Sequence, residues 1–183
     1  MISVSVGWGP EEKGYDRIVA AVDRAKKEGI FVVSSSLSET YGGKPTFHGL
    51  GREPPADPDK PSSYRPGMFW ADTFFARRDP SANYAVDWAP NGLLLVPMDS
   101  RCFASPTGAN DYLFYREGGW SWSIPYIAGL YALACQVKPD VTPESFWNAA
   151  MATGDSVKIK HAGREYTLER IVNPRKLIEK LRE

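Results

Sequence analysis

Histidine and cysteine are scarce in this chain of 183 residues, with two of each. Cys102 and Cys135 show no CxxC spacing, so the sequence offers neither a disulfide framework nor a cysteine zinc site, and both read as small core residues. An excess of one charge is also missing. Lysine plus arginine equals aspartate plus glutamate at 22 each, which provides no field to draw nucleic acid or an anionic membrane. Apolar runs such as 93–96 and 30–33 are far too short to span a bilayer. The opening Met1-Ile2-Ser3-Val4-Ser5-Val6 lacks the charged region and apolar stretch of a signal peptide, and reads as a strand that starts abruptly. No internal repeat or low-complexity tract is visible. These exclusions leave one compact unit, 43% hydrophobic, with its compartment open.

What is present begins with an alternation. Ile2, Val4 and Val6 alternate with serines, and Gly7-Trp8-Gly9-Pro10 stops the run, as a strand entering a turn would. Tyr15, Ile18, Val19, Val22 and Ala25 then recur at helical spacing, with Gly29 as a C-terminal stop. The apolar run Ile30-Phe31-Val32-Val33 follows at once. Strand, helix and buried strand in this order make a βαβ unit and imply a parallel sheet covered on both faces. The expected fold class is α/β, three-layered, with a mostly parallel sheet and helices on both sides.

Periodicity fails from Ser34 to about Pro90, where prolines and glycines forbid long regular elements. This stretch reads as an insertion over about 39–90, with short elements and a helix near 70–77. Leu93-Leu94-Leu95-Val96 is the next buried strand. Residues 121–136 read as a helix that is apolar nearly all round, hence buried in the middle of the fold. Thr142-Pro143-Glu144 opens a further helix closed by Gly154. Residues 157–159 and 165–168 can pair around Ala162-Gly163, and Asn173-Pro174 starts a last helix with Leu177, Ile178 and Leu181.

Chemistry concentrates at Gly118-Gly119-Trp120-Ser121-Trp122-Ser123-Ile124-Pro125. Ser121 falls at the start of the apolar helix, where unpaired N–H groups and the positive end of the helix dipole stabilise developing negative charge. A plain N-cap serine is the competing reading. The string Gly119-x-Ser121-x-x-x-Pro125-x-x-Ala128-Gly129-x-x-Ala132-Leu133 resembles the subtilase nucleophile motif, G-T-S-M-A-S-P-x-V-A-G-x-x-A-L. Trp120 replaces its threonine, Trp122 its methionine and Ile124 its second serine. The resemblance extends to Ser5-Val6-Gly7, which looks like the family's S-L-G cleft strand, and to Val32 through Ser38, at the place of its strand and A-A-A-G-N turn. The Leu93 to Met98 stretch is similar to the V-x-A-P-G segment, and Thr142 to Gly154 to the C-terminal helix.

The resemblance implies a serine endopeptidase, the C-terminal portion of a subtilisin-like domain. Ser121 is then the nucleophile. Ser38, in place of the asparagine, and the Ser121 N–H hold the oxyanion. Ser5, Gly7, Ser35, Ser36, Leu37 and Gly119 line a groove for a polypeptide substrate bound as an added strand. In the family the aspartate and histidine precede the S-L-G strand. The expected partner is therefore the N-terminal half of the same protease domain, and this polypeptide alone is expected to be inactive. Self-association is a further expectation, because a partial domain exposes sheet edge. No metal or cofactor is expected, although the family often binds calcium, and no site for it can be assigned.

Three rival readings stand beside this one. Trp120, Trp122 and Ser38 favour an inactive, peptide-binding or regulatory module. Gly119-x-Ser121-x-Ser123 approaches the G-x-S-x-G elbow of α/β-hydrolase esterases but lacks the second glycine and a strand directly before it. His48-Gly49 invites comparison with the family's H-G-T motif, yet its Pro/Gly surroundings point to a loop histidine with a local hydrogen bond. His161 reads as an exposed turn residue, and Asp72, Asp87, Asp99 and Asp111 as caps and turns.

Overall fold

The alternation at the N-terminus folds as strand β1 (Ile2–Gly7), followed by helix α1 (Tyr15–Lys27) and strand β2 (Val32–Ser36). The computed structural model describes residues 1–36, 47–51, 93–115, 118–161 and 164–183, with the backbone alone at 36, 159–161 and 164–166. Every statement below is made of these. Leu37, Ser38, the helix expected near 70–77, Asp72 and Asp87 lie outside the described residues, as does most of the stretch read as an insertion.

β1 and β2 pair in parallel, Ile2 opposite Val32, Ser3 opposite Val33 and Val4 opposite Ser34; the register then slips before Gly7 meets Ser36. Strand alternation sends Val32 under α1, beside Val22 and Ala25, and sends Phe31 and Val33 into the main core. Gly29 ends α1 at φ 72, a left-handed conformation that glycine adopts without a β-carbon clash, and its N–H donates to the Lys26 carbonyl at 2.9 Å. The βαβ expectation is met here.

A second sheet begins with β3 (Phe47–Leu50), parallel to β4 (Leu94–Pro97). β3 falls inside the span read as an insertion, yet Phe47, Gly49 and Leu50 are buried and it is a core strand. Next comes an antiparallel hairpin of β5 (Arg101–Ala104) and β6 (Tyr112–Tyr115). The predicted C-terminal pair forms as β7 (Asp155–His161) and β8 (Arg164–Ile171), longer than expected, and β8 joins β4 in parallel where Ile171 meets Leu95. The order in that sheet is β3-β4-β8-β7. The fold is therefore α/β with parallel pairing, its described strands distributed over three sheets.

Helix α2 (Ser123–Val137) packs on β1, β2 and β4. Its exposure corrects one expectation. Pro125, Gly129, Ala132, Leu133 and Gln136 form an exposed side. That side reads as apolar in sequence because glycine, alanine and proline score as apolar, although they present little surface; Leu133, 47% exposed, is its one large aliphatic. Cys102 is likewise exposed on β5 rather than in the core, while Cys135 is partly buried.

Helix α3 (Pro143–Ala152) starts in a reciprocal capping box. The Thr142 hydroxyl accepts from the Ser145 N–H at 3.1 Å, and Ser145 Oγ accepts from the Thr142 N–H at 2.9 Å. Helix α4 (Pro174–Leu181) is capped by Asn173, whose Oδ1 accepts from the Lys176 N–H at 3.0 Å. Asp155 ties β7 to this cap through Asn173 Nδ2 at 2.8 Å and Lys176 Nζ at 2.6 Å. The hydrogen bond from Lys176 is the main force holding the Asp155 carboxyl below its ordinary pKa.

At the centre, the Phe31 ring stacks on Tyr131 of α2 at 4.3 Å and meets Phe146 of α3 edge-on at 5.6 Å. Both phenylalanines are almost wholly buried. Phe146→Ala is expected to lower the unfolding free energy by about 3–5 kcal/mol, and Thr142→Ala by about 1 kcal/mol, in urea titrations followed by circular dichroism. A Phe146→Ala change of less than about 1 kcal/mol would show that the ring cluster is not the core.

Candidate active site

Ser121 does not sit in the first turn of α2. It occupies a short 3₁₀ turn (Trp120–Trp122) that leads directly into the helix, and Gly119, in extended conformation, accepts a hydrogen bond from the Trp122 N–H at 2.9 Å. Such a turn leaves its first N–H groups without partners inside the helix. The turn packs against both β1 and β2. Ser121 is exposed, and among the described residues no side chain hydrogen-bonds its hydroxyl.

Two contacts fix the turn to the second sheet. Gly118 lies so close to the chain after β4 that a β-carbon there would run into the Met98 carbonyl oxygen. Ser123, wholly buried, directs its hydroxyl to the Val96 carbonyl at 3.4 Å. Gly49, near the end of β3, leaves room for the Met98 side chain and Ser123; a β-carbon there would stand 2.8 Å from Met98 Sδ. The Ser121 turn is thus seated at the carboxyl ends of β3 and β4, the end at which parallel sheets place their ligand sites.

The indoles on either side of Ser121 pack against other rings. Trp120 meets Phe47 edge-on at 5.9 Å and stacks with His48 at 4.9 Å and 24°. Its Nε1 is buried without a hydrogen-bond partner, a cost of about 1–3 kcal/mol for an orphaned donor. Trp122 packs on Phe103 of β5 at 4.7 Å and on Tyr115 of β6 at 4.9 Å. Ser121 is left exposed between two anchored rings.

The groove residues expected from sequence come together in part. Ser5 lies on β1, exposed, and strand alternation gives it the face that α2 covers; Gly7 and Ser36 are paired across β1 and β2. Ser35 is buried on β2, and Gly119 opens the Ser121 turn. The oxyanion role of Ser38 and the groove role of Leu37 fall outside the described residues. The turn that carries Ser121 contacts both strands, β1 with Ser5 and Gly7 and β2 with Ser35 and Ser36.

His48 is a strand residue, not the loop residue expected, because Phe47-His48-Gly49-Leu50 pairs with β4 along its whole length. The local hydrogen bond is present: Nδ1 lies 2.9 Å from the Gly49 carbonyl oxygen. A carbonyl only accepts, so Nδ1 carries the proton in the neutral ring. Burial lowers the His48 pKa below its ordinary value, against the Gly49 hydrogen bond, which raises it. Sequence reasoning anticipated the local hydrogen bond but not the strand. A histidine two positions from the end of a buried strand was the available signal, hidden by the surrounding prolines and glycines.

The esterase elbow fits less well, since β6 ends at Tyr115, well before Ser121, and pairs antiparallel. Among the described residues no group of three or more His, Cys, Asp or Glu could hold a metal ion, so the calcium that the resemblance allows has no fitting cluster there. No described helix is long and apolar enough to cross a membrane. Compared with models of known protein families and with curated proteins, the chain matches none.

Gly118→Ala is expected to displace the Ser121 turn and to destabilise the fold, seen as a lower urea midpoint and a changed near-ultraviolet dichroism of the flanking indoles; an unaltered midpoint and spectrum would refute the close approach. His48 has a lowered folded pKa, so its contribution to stability is complete above the unfolded value of about 6.5 and is lost as pH falls through the folded value. Wild-type stability should therefore drop more between about pH 7 and 5 than that of His48→Gln, and equal slopes would show that His48 titrates normally.

Proposed function

We propose that this chain carries the nucleophile-bearing part of a subtilisin-like serine protease, and that in the complete domain Ser121 opens peptide bonds through an acyl-enzyme. The observation that carries the reading is the exposed Ser121, held on a short turn beside β1 and β2 while both flanking indoles are engaged by other rings. Indoles placed so leave the hydroxyl accessible. The order of elements supports it as well: cleft strand, helix, buried strand, a later strand, then the nucleophile turn and apolar helix, in the succession that the resemblance implies.

In this reading Ser121 Oγ attacks the scissile carbonyl carbon as its proton passes to a histidine of the N-terminal half of the domain, and an aspartate there orients that histidine. The tetrahedral oxyanion takes hydrogen bonds from the Ser121 N–H and from Ser38. Collapse breaks the C–N bond, the histidine protonates the departing amine, and water then hydrolyses the ester. Gly7 and Ser36, opposite each other, flank the substrate chain together with Ser5, Ser35, Leu37 and Gly119. The three-layer, mostly parallel sheet belongs to this proposal, since it needs further strands to join the described sheets.

The N-terminal half has a surface to dock on. β1 is paired on one side alone among the described residues, and Ile2 and Val6 are 42% and 55% exposed. A groove of about 680 Å³ opens between α1 and the β1–β2 pair, lined by apolar residues including Ile2, Val4, Ile18 and Ala21 with Trp8 at its rim. It lies on the face away from α2, so it is a packing surface and not the site of chemistry. Without the other half, the same surface would favour self-association.

One observation favours the second reading, a peptide-binding module without turnover: no described side chain hydrogen-bonds Ser121 to activate it. Labelling the full-length protein with a fluorophosphonate probe separates the two. The hydrolytic reading expects a stoichiometric adduct on Ser121 that Ser121→Ala abolishes. Absence of adduct in a folded, full-length sample would leave the binding module.

A further inference from the structure

The groove between α1 and the β1–β2 pair has an apolar base and a basic border. Val22 and Val32 are buried at its base, and Arg17 and Arg24 of α1, both exposed, border it. No acidic residue lines it among the described residues. Seven residues make about two helical turns, so the two arginines stand on one side of α1, about 10.5 Å apart along its axis. Asp16 and Asp23, their sequence neighbours, lie about 100° round the helix and line no part of the groove. Neither guanidinium has an ion-pair or hydrogen-bond partner among the described residues. Arg175, Lys176 and Lys180 of α4, by contrast, each hold a carboxylate.

The kind of element that fits there follows from the sheet. Parallel sheets are covered on both faces, and β1 is paired on one side alone among the described residues. A strand added at its other edge and joined to β1 by a right-handed crossover brings the joining helix to the face that α1 occupies. That helix lies alongside α1 and over the groove. Between the arginines α1 presents Ala20 and Ala21, whose small side chains allow a close approach. The covering helix then meets Ile2, Val4 and Ile18 with an apolar stripe, and it meets Arg17 and Arg24 with its flank. Residues seven apart on that flank have the same spacing as the two arginines.

We infer that this groove is a charge-selective receptor for an acidic amphipathic helix of the N-terminal half, one whose apolar stripe fills the groove and whose two carboxylates, seven residues apart, pair with Arg17 and Arg24. The inference rests on the proposed function, which supplies that half, and goes beyond it by naming the chemistry of the docking element. Because both arginines are exposed, each pair changes affinity by up to about fivefold. Apolar burial therefore holds the helix, and charge decides which helix and which register are accepted. A lysine at either position meets a like charge and is rejected.

The test titrates the 183-residue chain into fluorescein-labelled synthetic helical peptides, read by fluorescence anisotropy. The peptides share one leucine stripe and differ only at two flank positions seven apart, which are both Glu, both Gln or both Lys. The Glu peptide is expected to bind at least about tenfold tighter than the Lys peptide at low salt, with Gln between them, and the spread should shrink in about 0.5 M salt. Combined Arg17→Glu and Arg24→Glu should reverse the order, which a misfolded variant cannot do, and combined Arg17→Lys and Arg24→Lys should keep it. Absence of binding by any peptide, an order indifferent to charge, or an order unchanged by the double Glu variant overturns the inference. So does self-association of the wild-type chain in sedimentation velocity that the double Glu variant abolishes, since a second copy would then be the occupant. Failure of fluorophosphonate labelling in the full-length protein with the charge order intact would remove the hydrolytic reading and leave this one standing.

Discussion

The position of Ser121 depends on a run of ring contacts that begins far from it. Phe31, at the entry to β2, stacks on Tyr131 and meets Phe146 and Trp147; Trp147 stacks on Phe47 at 6.0 Å, and Phe47 meets Trp120. Each such pair contributes about 0.5–1.5 kcal/mol beyond the area it buries. Their larger effect is geometric. Aromatic rings have few rotamers, so the chain of contacts couples the β1–β2 unit, α2, α3 and β3 into one frame and fixes where the 3₁₀ turn can lie. The main chain adds its own constraint at Gly118, which admits no side chain against the Met98 carbonyl.

This frame explains how a serine between two tryptophans can stay exposed. A bulky residue beside a nucleophile blocks it when the ring has no other place to go. Here each indole has a seat, Trp120 between Phe47 and His48, and Trp122 against the β5–β6 hairpin. The two tryptophans that distinguish this motif from the subtilase pattern it resembles are matched by aromatic partners elsewhere in the chain. Side chains that look obstructive in sequence become the anchors of the turn in space.

Much of the frame was legible in sequence because periodicity and capping chemistry are local. β1, α1 and β2 follow from alternation, helical spacing and Gly29; α3 and α4 follow from Thr142-Pro143 and Asn173-Pro174, whose side chains do cap their helices. Three features were not legible. β3 is four residues long and lies among prolines and glycines, so no window reveals it, and pairing with β4 is what makes it a strand. The β5–β6 hairpin lies between Met98 and Gly118, where the sequence reading names no element, and its four-residue strands are too short for periodicity to reveal. The exposed side of α2 escaped notice because Gly129 and Ala132 read as apolar while offering little to bury. At the candidate site Ser121 was found by motif and by its place before a helix. His48 was read as a loop residue, and its stack on Trp120 was not legible, since it is a contact across some seventy residues of sequence.

That long reach bears on how the molecule is made. Phe31 and Tyr131 are about a hundred residues apart, and β8 reaches Leu95 from the far end of the chain. Contacts of such span form only after a large loss of chain entropy and belong to slow-folding topologies. Hydrogen bonds within α1 or α3 can form early, but the seats of Trp120 and Trp122 exist only once distant strands have met. The turn that carries Ser121 is therefore assembled last, and in a nascent or partly unfolded chain it would lack the ring contacts that support it.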